Sequence, residues 1–343
     1  MATTNPVSFR DARIELAHGA GGKATRRLIE GLFLPLLANP ALLELADAAL
    51  LDVGESRLAM TTDAFVVKPL RFPGGSIGEL AVHGTVNDLA VVGARPLALS
   101  AAFILEAGIG SDLLQAEVEA MARAAAEAGV MVVTGDTKVV EHGSADGMYI
   151  ATTGVGLVDP RVTLGAGQVQ PGDQILVSGP VGDHGVTILL ARGDLDLEAD
   201  LESDTRPITP LVQAVIEAAA PGLRWMRDPT RGGVASALNE LARDCGYGIV
   251  LFEEAIPIRE AVRGACEILG LDPLHVACEG QFLAVLAPDY AEAALAALHA
   301  TPGGASAAVI GEVRPEPVRT VLALTAYGGA RVVDMLVGDP LPR

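Results

Sequence analysis

Aromatic residues and cysteines are scarce in this sequence. Aromatics make up 3% of the 343 residues although half of the residues are hydrophobic, so the core must be built mainly from Ala, Val, Leu and Ile. The three cysteines, Cys245, Cys266 and Cys278, form no CxxC pair, which argues against a zinc site. Their odd number and low density suit a reducing compartment, and we therefore expect a cytoplasmic protein.

Positive charge is scarce as well. Lys and Arg number 24 against 43 Asp and Glu, and the formal net charge is −19. Nucleic-acid binding needs a basic surface, so we expect no nucleic-acid partner, and the same charge disfavours anionic membranes. The longest apolar run, residues 97–105, is too short to span a bilayer. Residues 1–13 contain no apolar stretch of the signal-peptide type, and we expect a soluble protein without a membrane partner.

The order of the predicted elements indicates two domains. A chain of this length suggests about two domains at roughly 100–200 residues each. Strand and helix patterns alternate irregularly, which favours an α+β fold of two α/β domains over a doubly wound sheet. Residues 159–173 are rich in Gly and Pro and form the predicted boundary. The predicted parts are a glycine-rich N-terminal segment (1–40), an N-terminal domain (41–160), a C-terminal domain (165–335) and a tail (336–343).

Three elements can be predicted well enough to locate the motifs. Residues 77–92 have the apolar pattern of a helix. Residues 58–62 are predicted to form a strand that ends at Asp63. Residues 130–133 are predicted to form another strand, which ends in a glycine-containing turn at residues 135–137. The sequence therefore predicts carboxylates at the ends of two strands.

Four aspartates stand where apolar sequence gives way to a turn or a glycine-rich stretch. Carboxylates beside Gly and Thr suit Mg²⁺ bridged to nucleotide phosphates, because Mg²⁺ takes oxygen ligands, keeps several waters and rarely has an all-protein cage. The alternative for each one alone is a helix cap or a turn residue. Together they predict an enzyme that uses ATP and Mg²⁺, with four metal-ligand candidates: Asp63, Asp88, Asp136 and Asp228.

A short glycine-rich loop near the N-terminus contains Gly21, Gly22 and Lys23. Backbone N–H groups in such a loop can hold a phosphate, and the lysine adds a cation. The spacing is not that of a Walker A loop, so an ordinary N-terminal loop remains the alternative.

Residues 228–233 are the most specific stretch. Asp228, Thr230 and Arg231 bring a carboxylate, a hydroxyl and a cation to the start of a predicted helix, where anions are favoured. The alternative is a capped helix start with a proline in its usual place.

Two further charged residues are candidates for the chemistry. Lys138 follows Asp136 by two residues, so in an extended chain both side chains face the same way. They form either a structural ion pair or a phosphate and catalytic contact. Glu279 lies in a loop before the apolar run 282–286, where the alternative is a solvated turn residue. The neighbouring Cys278 is better explained as a small buried residue than as a nucleophile.

In this order, the motifs resemble the PurM-like (aminoimidazole ribonucleotide synthetase) superfamily. Within it they are similar to the HypE family, the carbamoyl dehydratases of hydrogenase maturation, and the similarity covers nearly the whole chain. The 134–140 and 182–185 stretches distinguish this branch from its relatives. The matching stretches are residues 18–23, 72–78, 84–89, 134–140, 178–185, 227–233, 272–274 and 279–280.

The resemblance implies a fold and a set of site residues. It implies two α/β domains, with N-terminal domains that pair through their sheets in a homodimer and a C-terminal α/β sandwich. ATP and Mg²⁺ would bind near the dimer interface, and Lys138 and Glu279 would be the catalytic residues. Glu279 would take or relay the amide proton while Lys138 orients the amide. The implied cofactor-binding residues are Gly21, Gly22, Lys23, Asp63, Asn87, Asp88, Gly135, Asp136, Thr137, Asp228, Thr230 and Arg231.

The resemblance also implies a reaction and partners. The carbamoyltransferase HypF would load a carbamoyl group onto a C-terminal cysteine, and ATP-dependent dehydration would convert it to a thiocyanate. The cyanide would pass through a HypC–HypD scaffold complex to a [NiFe] hydrogenase. Family members end in Pro-Arg-Ile-Cys, whereas the sequence given ends at Pro342-Arg343, without the acceptor cysteine. Two alternatives are another PurM-like ATP-dependent kinase or synthetase, and a nucleotide-binding scaffold without turnover.

Overall fold

The structure is a computed structural model that describes residues 9–193 and 197–336. The predicted N-terminal segment is therefore described from residue 9, and the predicted tail lies outside the described residues except for Leu336. Within the described residues, no helix is long and apolar enough to cross a bilayer.

The helices and strands alternate irregularly along the chain. The helices are α1 (Lys23–Leu28), α2 (Leu34–Leu37), α3 (Ile77–Val91), α4 (Ser111–Glu127), α5 (Asp183–Ala191), α6 (Thr209–Ala219), α7 (Gly233–Cys245), α8 (Glu260–Leu269) and α9 (Pro288–Ala300). The strands are β1 (Ala49–Val53), β2 (Ser56–Phe65), β3 (Arg71–Phe72), β4 (Gly75–Ser76), β5 (Ala94–Glu106), β6 (Met131–Val140), β7 (Met148–Val158), β8 (Gln174–Val177), β9 (Leu223–Arg227), β10 (Gly248–Phe252), β11 (Leu283–Leu286), β12 (Ala308–Arg314), β13 (Val321–Leu324) and β14 (Ala330–Val332).

The N-terminal domain is one five-stranded sheet with helices on one face. The strand order is β1-β2-β7-β5-β6, in which only β5 and β6 pair in parallel. Helix α3 packs on the sheet and against α4, and nearly all of its side chains are buried. Gly154 on β7 permits this close approach, because a Cβ there would lie 2.7 Å from Thr85 of α3. The predicted helix at 77–92 is confirmed.

The prediction of a turn at residues 135–137 was wrong. Strand β6 runs without interruption through these residues and pairs with β5 along its whole length. Gly135 is needed for close pairing instead of a turn, because a Cβ there would lie 2.1 Å from the carbonyl oxygen of Ala101. Strand β2 likewise continues past Asp63 to Phe65.

The C-terminal domain is a seven-stranded sheet covered on both faces. Its strand order is β14-β13-β10-β12-β8-β11-β9. Successive side chains of a strand point to opposite faces. On β8, Ile175 and Val177 accordingly pack on the α7 side, whereas Leu176 packs on the side of α6 and α9. This two-sided burial explains why the central strands are continuously apolar.

Candidate active site

Five aspartates line one cavity of about 580 Å³. One of them, Asp244, is on α7, and the other four come from both domains. Asp63 comes from β2 and Asp88 from α3, while Asp228 follows the end of β9. The fourth is Asp47, in the segment that precedes β1. We call this the carboxylate cavity. The glycines of the N-terminal loop, Gly21 and Gly22, and the residues Thr230 and Arg231 also line it.

Two aspartates of the carboxylate cavity, Asp88 and Asp228, have raised pKa values. Burial raises the pKa of Asp88 well above its usual range, and the charges of Asp228, Asp47 and Asp63 add to the shift. Burial followed by the charges of Asp47 and Asp63 does the same to Asp228. The hydroxyl of Thr61 donates to Asp88 Oδ2 at 2.7 Å and partly offsets the shift. The repulsion within such a group of carboxylates is relieved either by protonation or by a cation among them.

The donor set fits Mg²⁺ that arrives with a nucleotide. In the described ranges, no three His, Cys, Asp or Glu side chains are grouped closely enough to hold an ion by themselves. Mg²⁺ usually takes one or two carboxylates and completes its shell with waters and substrate phosphates. One or two of Asp47, Asp63, Asp88 and Asp228 would hold each ion in this way. The glycine loop lines the same cavity, where the Gly21 N–H donates to Thr25 Oγ1 at 2.9 Å.

The sequence analysis missed Asp47. Its carboxylate accepts from Arg227 Nε at 2.9 Å, and Arg227 Nη1 donates to Glu240 Oε2 at 2.6 Å. Burial alone would lower the pKa of Arg227, but the charges of Asp47, Glu240 and Asp228 outweigh it and raise that pKa. Asp47 has alanines on both sides and no Gly or Thr beside it, so the pattern that identified the other aspartates did not apply.

The glycine loop packs against two other parts of the site. Gly21 has a φ of +77°, and a Cβ there would lie 2.6 Å from the carbonyl oxygen of Arg231. A Cβ on Gly22 would lie 2.6 Å from the carbonyl oxygen of Leu336. Both glycines are therefore required by close backbone contacts.

Lys23 pairs with a distant part of the chain, and its role as a cofactor-binding residue stays a prediction. Its backbone N–H donates to Leu336 O at 3.1 Å, and its Nζ pairs with Asp334 Oδ2 at 2.5 Å. His275 Nε2 also lies 2.8 Å from Asp334 O. The backbone and side chain of Lys23 thus both contact residues 334–336, which we call the terminal segment.

A second cavity of about 280 Å³ adjoins the first, and we call it the glutamate cavity. The two share Asp63, Thr230 and Arg231, and Arg231 Nη2 lies 3.7 Å from Asp63 Oδ1. The glutamate cavity is also lined by Glu279 and by Leu336 of the terminal segment. The last described residues thus lead to the point where the two cavities meet.

Glu279 is not a solvated turn residue. It is half-buried, and burial raises its pKa well above the usual range, with further contributions from Asp228, Asp63 and Asp204. A carboxylate with a raised pKa is a suitable general base. Cys278 is fully buried and receives a hydrogen bond from Gly182 N–H at 3.2 Å, and burial raises its thiol pKa well above the usual range. The interpretation of Cys278 as a buried packing residue is confirmed.

Asn87 holds protein backbone from the second domain. Its side chain is 1% exposed, and Nδ2 donates to Arg206 O at 3.0 Å and to Glu279 O at 2.9 Å. Its Oδ1 accepts from Ile208 N–H at 2.9 Å. These bonds use both N–H groups of the amide, and they make Asn87 a support of the Glu279 loop, while its role in cofactor binding stays a prediction.

The predicted site residues on β6 lie apart from both cavities within one chain. Gly135, Asp136, Thr137 and Lys138 are exposed on an edge strand three places from β2 in the sheet, which corresponds to about 14 Å. Lys138 Nζ lies 3.0 Å from Asp136 Oδ2, and this hydrogen bond lowers the pKa of Asp136. Their assignment to the nucleotide, the metal and the chemistry stays a prediction.

The fold and the site define a protein of the AIR synthase related class. Models of the N-terminal and C-terminal domains of AIR synthase related proteins match residues 45–158 and 170–322. A carbamoyl dehydratase HypE of Rhodobacter capsulatus is 54% identical over 98% of this chain and 99% of the relative. The chain belongs to the HypE family of carbamoyl dehydratases, and the resemblance recognised in the sequence is confirmed.

Solved structures of HypE proteins have the same fold. A chain from a HypE–HypF complex matches with a TM-score of 0.86 at 43% identity, covering 90% of this chain and 99% of that chain. HypE in complex with ATP matches with a TM-score of 0.80 at 46% identity, covering 96% of this chain and 99% of that chain.

Proposed function

We propose that the protein dehydrates a carbamoyl group carried on its own C-terminal cysteine to a thiocyanate, with hydrolysis of ATP to ADP and phosphate. The product would supply the cyanide ligand of a [NiFe] hydrogenase. The observation that carries the proposal is the junction of the two cavities. Glu279, with its raised pKa, lines the cavity that the terminal segment reaches, and Asp63, Thr230 and Arg231 connect it to the carboxylate cavity.

The chemistry needs a leaving group and a base. The amide oxygen of a thiocarbamate leaves poorly. Transfer of the γ-phosphoryl group of ATP to that oxygen, with release of ADP and of one N–H proton to water, makes it a good leaving group. Glu279 takes the remaining N–H proton as the C–O bond breaks, so that a C≡N bond forms and phosphate departs. Bound Mg²⁺ would neutralise phosphate charge during the transfer. Arg231 lies on both cavities and can stabilise the same charge.

We also propose that two copies of the chain complete the site. Strand β6 exposes apolar side chains, with Met131 68%, Val133 60% and Val139 66% accessible. An exposed edge strand with apolar residues is a surface that proteins normally cover. Pairing of two N-terminal sheets in a homodimer would cover it and bring Lys138 to the glutamate cavity of the partner subunit. There it would orient the amide of the thiocarbamate.

The proposed partners follow from the family. A HypE structure has been solved in complex with HypF, and we propose that HypF loads the carbamoyl group here. A HypC–HypD complex would accept the cyanide. The low cysteine content suits a reducing compartment, and we propose that the protein works in the cytoplasm.

The proposal can be tested by intact-mass measurement. The protein carrying Ile-Cys after Arg343 is carbamoylated by its partner enzyme and measured before and after addition of Mg-ATP. We expect the C-terminal peptide to lose the mass of one water, and only with ATP. A carbamoylated tail that is unchanged while ATP is bound would instead indicate a scaffold or a different PurM-like reaction.

A further inference from the structure

A separate segment of the chain holds the Glu279 loop in place. Residues 203–208, which we call the strap, lead from the acidic region after α5 to the start of α6. Asp204 Oδ1 accepts from the backbone N–H of Glu279 at 3.0 Å. On the other side of that residue, Asn87 Nδ2 donates to the backbone carbonyl of Glu279 at 2.9 Å. The backbone groups on both sides of the Glu279 side chain are therefore bound.

The strap and the loop are in direct backbone contact. A Cβ on Gly280 would lie 1.7 Å from the carbonyl oxygen of Asp204, so only glycine fits after Glu279. Arg206 Nε donates to Gly280 O at 2.9 Å, and Arg206 Nη2 donates to Gln281 Oε1 at 3.2 Å. The position of the loop is thus determined by the strap.

The strap is anchored to the rest of the site at its beginning. Ser203 N–H donates to Pro73 O at 2.9 Å in the N-terminal domain, and Ser203 Oγ lies 2.8 Å from His184 Nδ1. His184 lines the glutamate cavity together with Glu279. Because the strap is bonded both to the N-terminal domain and to the Glu279 loop, its side chains can fix the position of Glu279 relative to both domains.

Asp204 is also close enough to Glu279 to act through its charge. Burial raises the pKa of Asp204 to about 6, against the opposing effect of the Glu279 N–H. Asp183 raises and Arg206 lowers the same pKa. Its Oδ2 is buried and has no hydrogen-bond partner among the residues described. The charge of Asp204 raises the pKa of Glu279, on which Asp228 and Asp63 act in the same direction and Arg231 in the opposite one.

We propose that Asp204 is a positioning residue for the dehydration. It holds the Glu279 peptide so that the Glu279 carboxylate faces the glutamate cavity, and it keeps a negative charge beside that carboxylate. This inference rests on the proposed function, because it gives Glu279 the task of taking the amide proton.

The test compares Asp204→Asn and Asp204→Ala with Asp200→Asn. Asp200 is exposed and lines the same surface cavity as Asp204, so its substitution removes an equal charge without touching the loop. Asn at 204 keeps an acceptor for the Glu279 N–H but removes the charge. We expect the kcat of dehydration to fall about tenfold in Asp204→Asn, with the KM for ATP within about twofold of the wild type. In Asp204→Ala the kcat should fall on the order of 10²-fold, because the peptide is released.

Two pH measurements separate positioning from a general structural role. Loss of the neighbouring charge should lower the pKa of Glu279, so the acidic limb of the rate profile should move to lower pH in Asp204→Asn and stay in place in Asp200→Asn. Titration of the Glu279 carboxyl by ¹³C NMR, assigned with Glu279→Gln, should show the same shift in the full chain without ATP.

Either of two results would overturn the proposal. One is an Asp204→Asn protein with the kcat and the Glu279 titration of Asp200→Asn. The other is an Asp204→Asn protein that loses ATP binding and turnover in parallel while the pKa of Glu279 stays unchanged. That result would mean that Asp204 has only a structural role. If the wild-type protein does not dehydrate its tail, the proposed function fails, whereas the NMR titration still decides whether Asp204 acts on Glu279.

Discussion

The carboxylate cavity and strand β6 hold predicted site residues in opposite environments. Asp228 is 7% exposed and burial raises its pKa, whereas Asp136 is exposed and its bond to Lys138 lowers its pKa. Residues of the first region are brought together by packing within one chain. In the described part of the chain, those of the second region lie on an edge strand away from both cavities, and we expect them to act at the site only if another surface meets them. A sequence motif thus locates a functional residue without revealing whether its own fold completes the site.

The largest effect should come from the buried region. Glu279→Gln removes the proposed base, and dehydration should slow by roughly 10²–10⁴-fold while ATP binding is retained. Mass spectrometry of the tail and calorimetry of ATP binding measure the two effects. Glu267→Gln, on the exposed side of α8, is the control and should behave as wild type. A Glu279→Gln protein that no longer binds ATP would contradict the assignment.

The proposed role of strand β6 as a dimer interface can be tested by measuring the oligomeric state. Val139→Lys places a charge on the apolar surface of β6, and we expect a homodimer to dissociate to monomers with an intact fold and strongly reduced turnover. Sedimentation and circular dichroism measure the two properties. Ile268→Lys, at an equally exposed apolar position of α8, should leave the oligomeric state unchanged. An unchanged assembly in Val139→Lys would show that β6 is not the interface.

Mixing two inactive variants tests whether the regions meet across the interface. Lys138→Ala and Glu279→Gln should each be nearly inactive alone. After dissociation and reassembly of an equal mixture, about a quarter of wild-type activity should return, because half of the dimers then contain one intact site. Return of activity needs Lys138 of one subunit beside Glu279 of the other. If no activity returns although mixed dimers form, the two residues act within one chain or not at all.

The smallest effect concerns stability. Burial and like charges raise the folded-state pKa of Asp88, so its contribution to stability is fully present below the unfolded value of about 4 and is lost as the pH rises through the folded value. Asp88→Asn should therefore raise the melting temperature by a few degrees at pH 7.5 without Mg-ATP, and by less at lower pH. Thermal melts across this range measure it, with exposed Asp52→Asn as the control. An equal rise of the melting temperature at pH 7.5 and at lower pH would contradict an electrostatic origin of the effect.

Local patterns were sufficient for several elements and insufficient for others. Helix α3 was predicted closely because its apolar residues and their spacing follow from the sequence alone. Strand β6 was predicted too short, because a glycine followed by aspartate is typical of turns. Here the glycine is explained by the carbonyl of Ala101 on a strand some thirty residues earlier, a contact that no local window contains.

The sequence by itself determined the family, the two α/β domains, and the order of the motifs, including Asp228 before α7 and the glycine loop. The family was recognised from the resemblance of the ordered motifs, and the other features follow from composition and short-range pattern. Only the tertiary structure decided that Asp47 joins the carboxylate cavity, that Asn87 supports the Glu279 loop, and that Glu279 is half-buried with a raised pKa. The physical reason is that burial, the pairing of charges and backbone contacts depend on residues far apart in sequence, and folding alone brings them together.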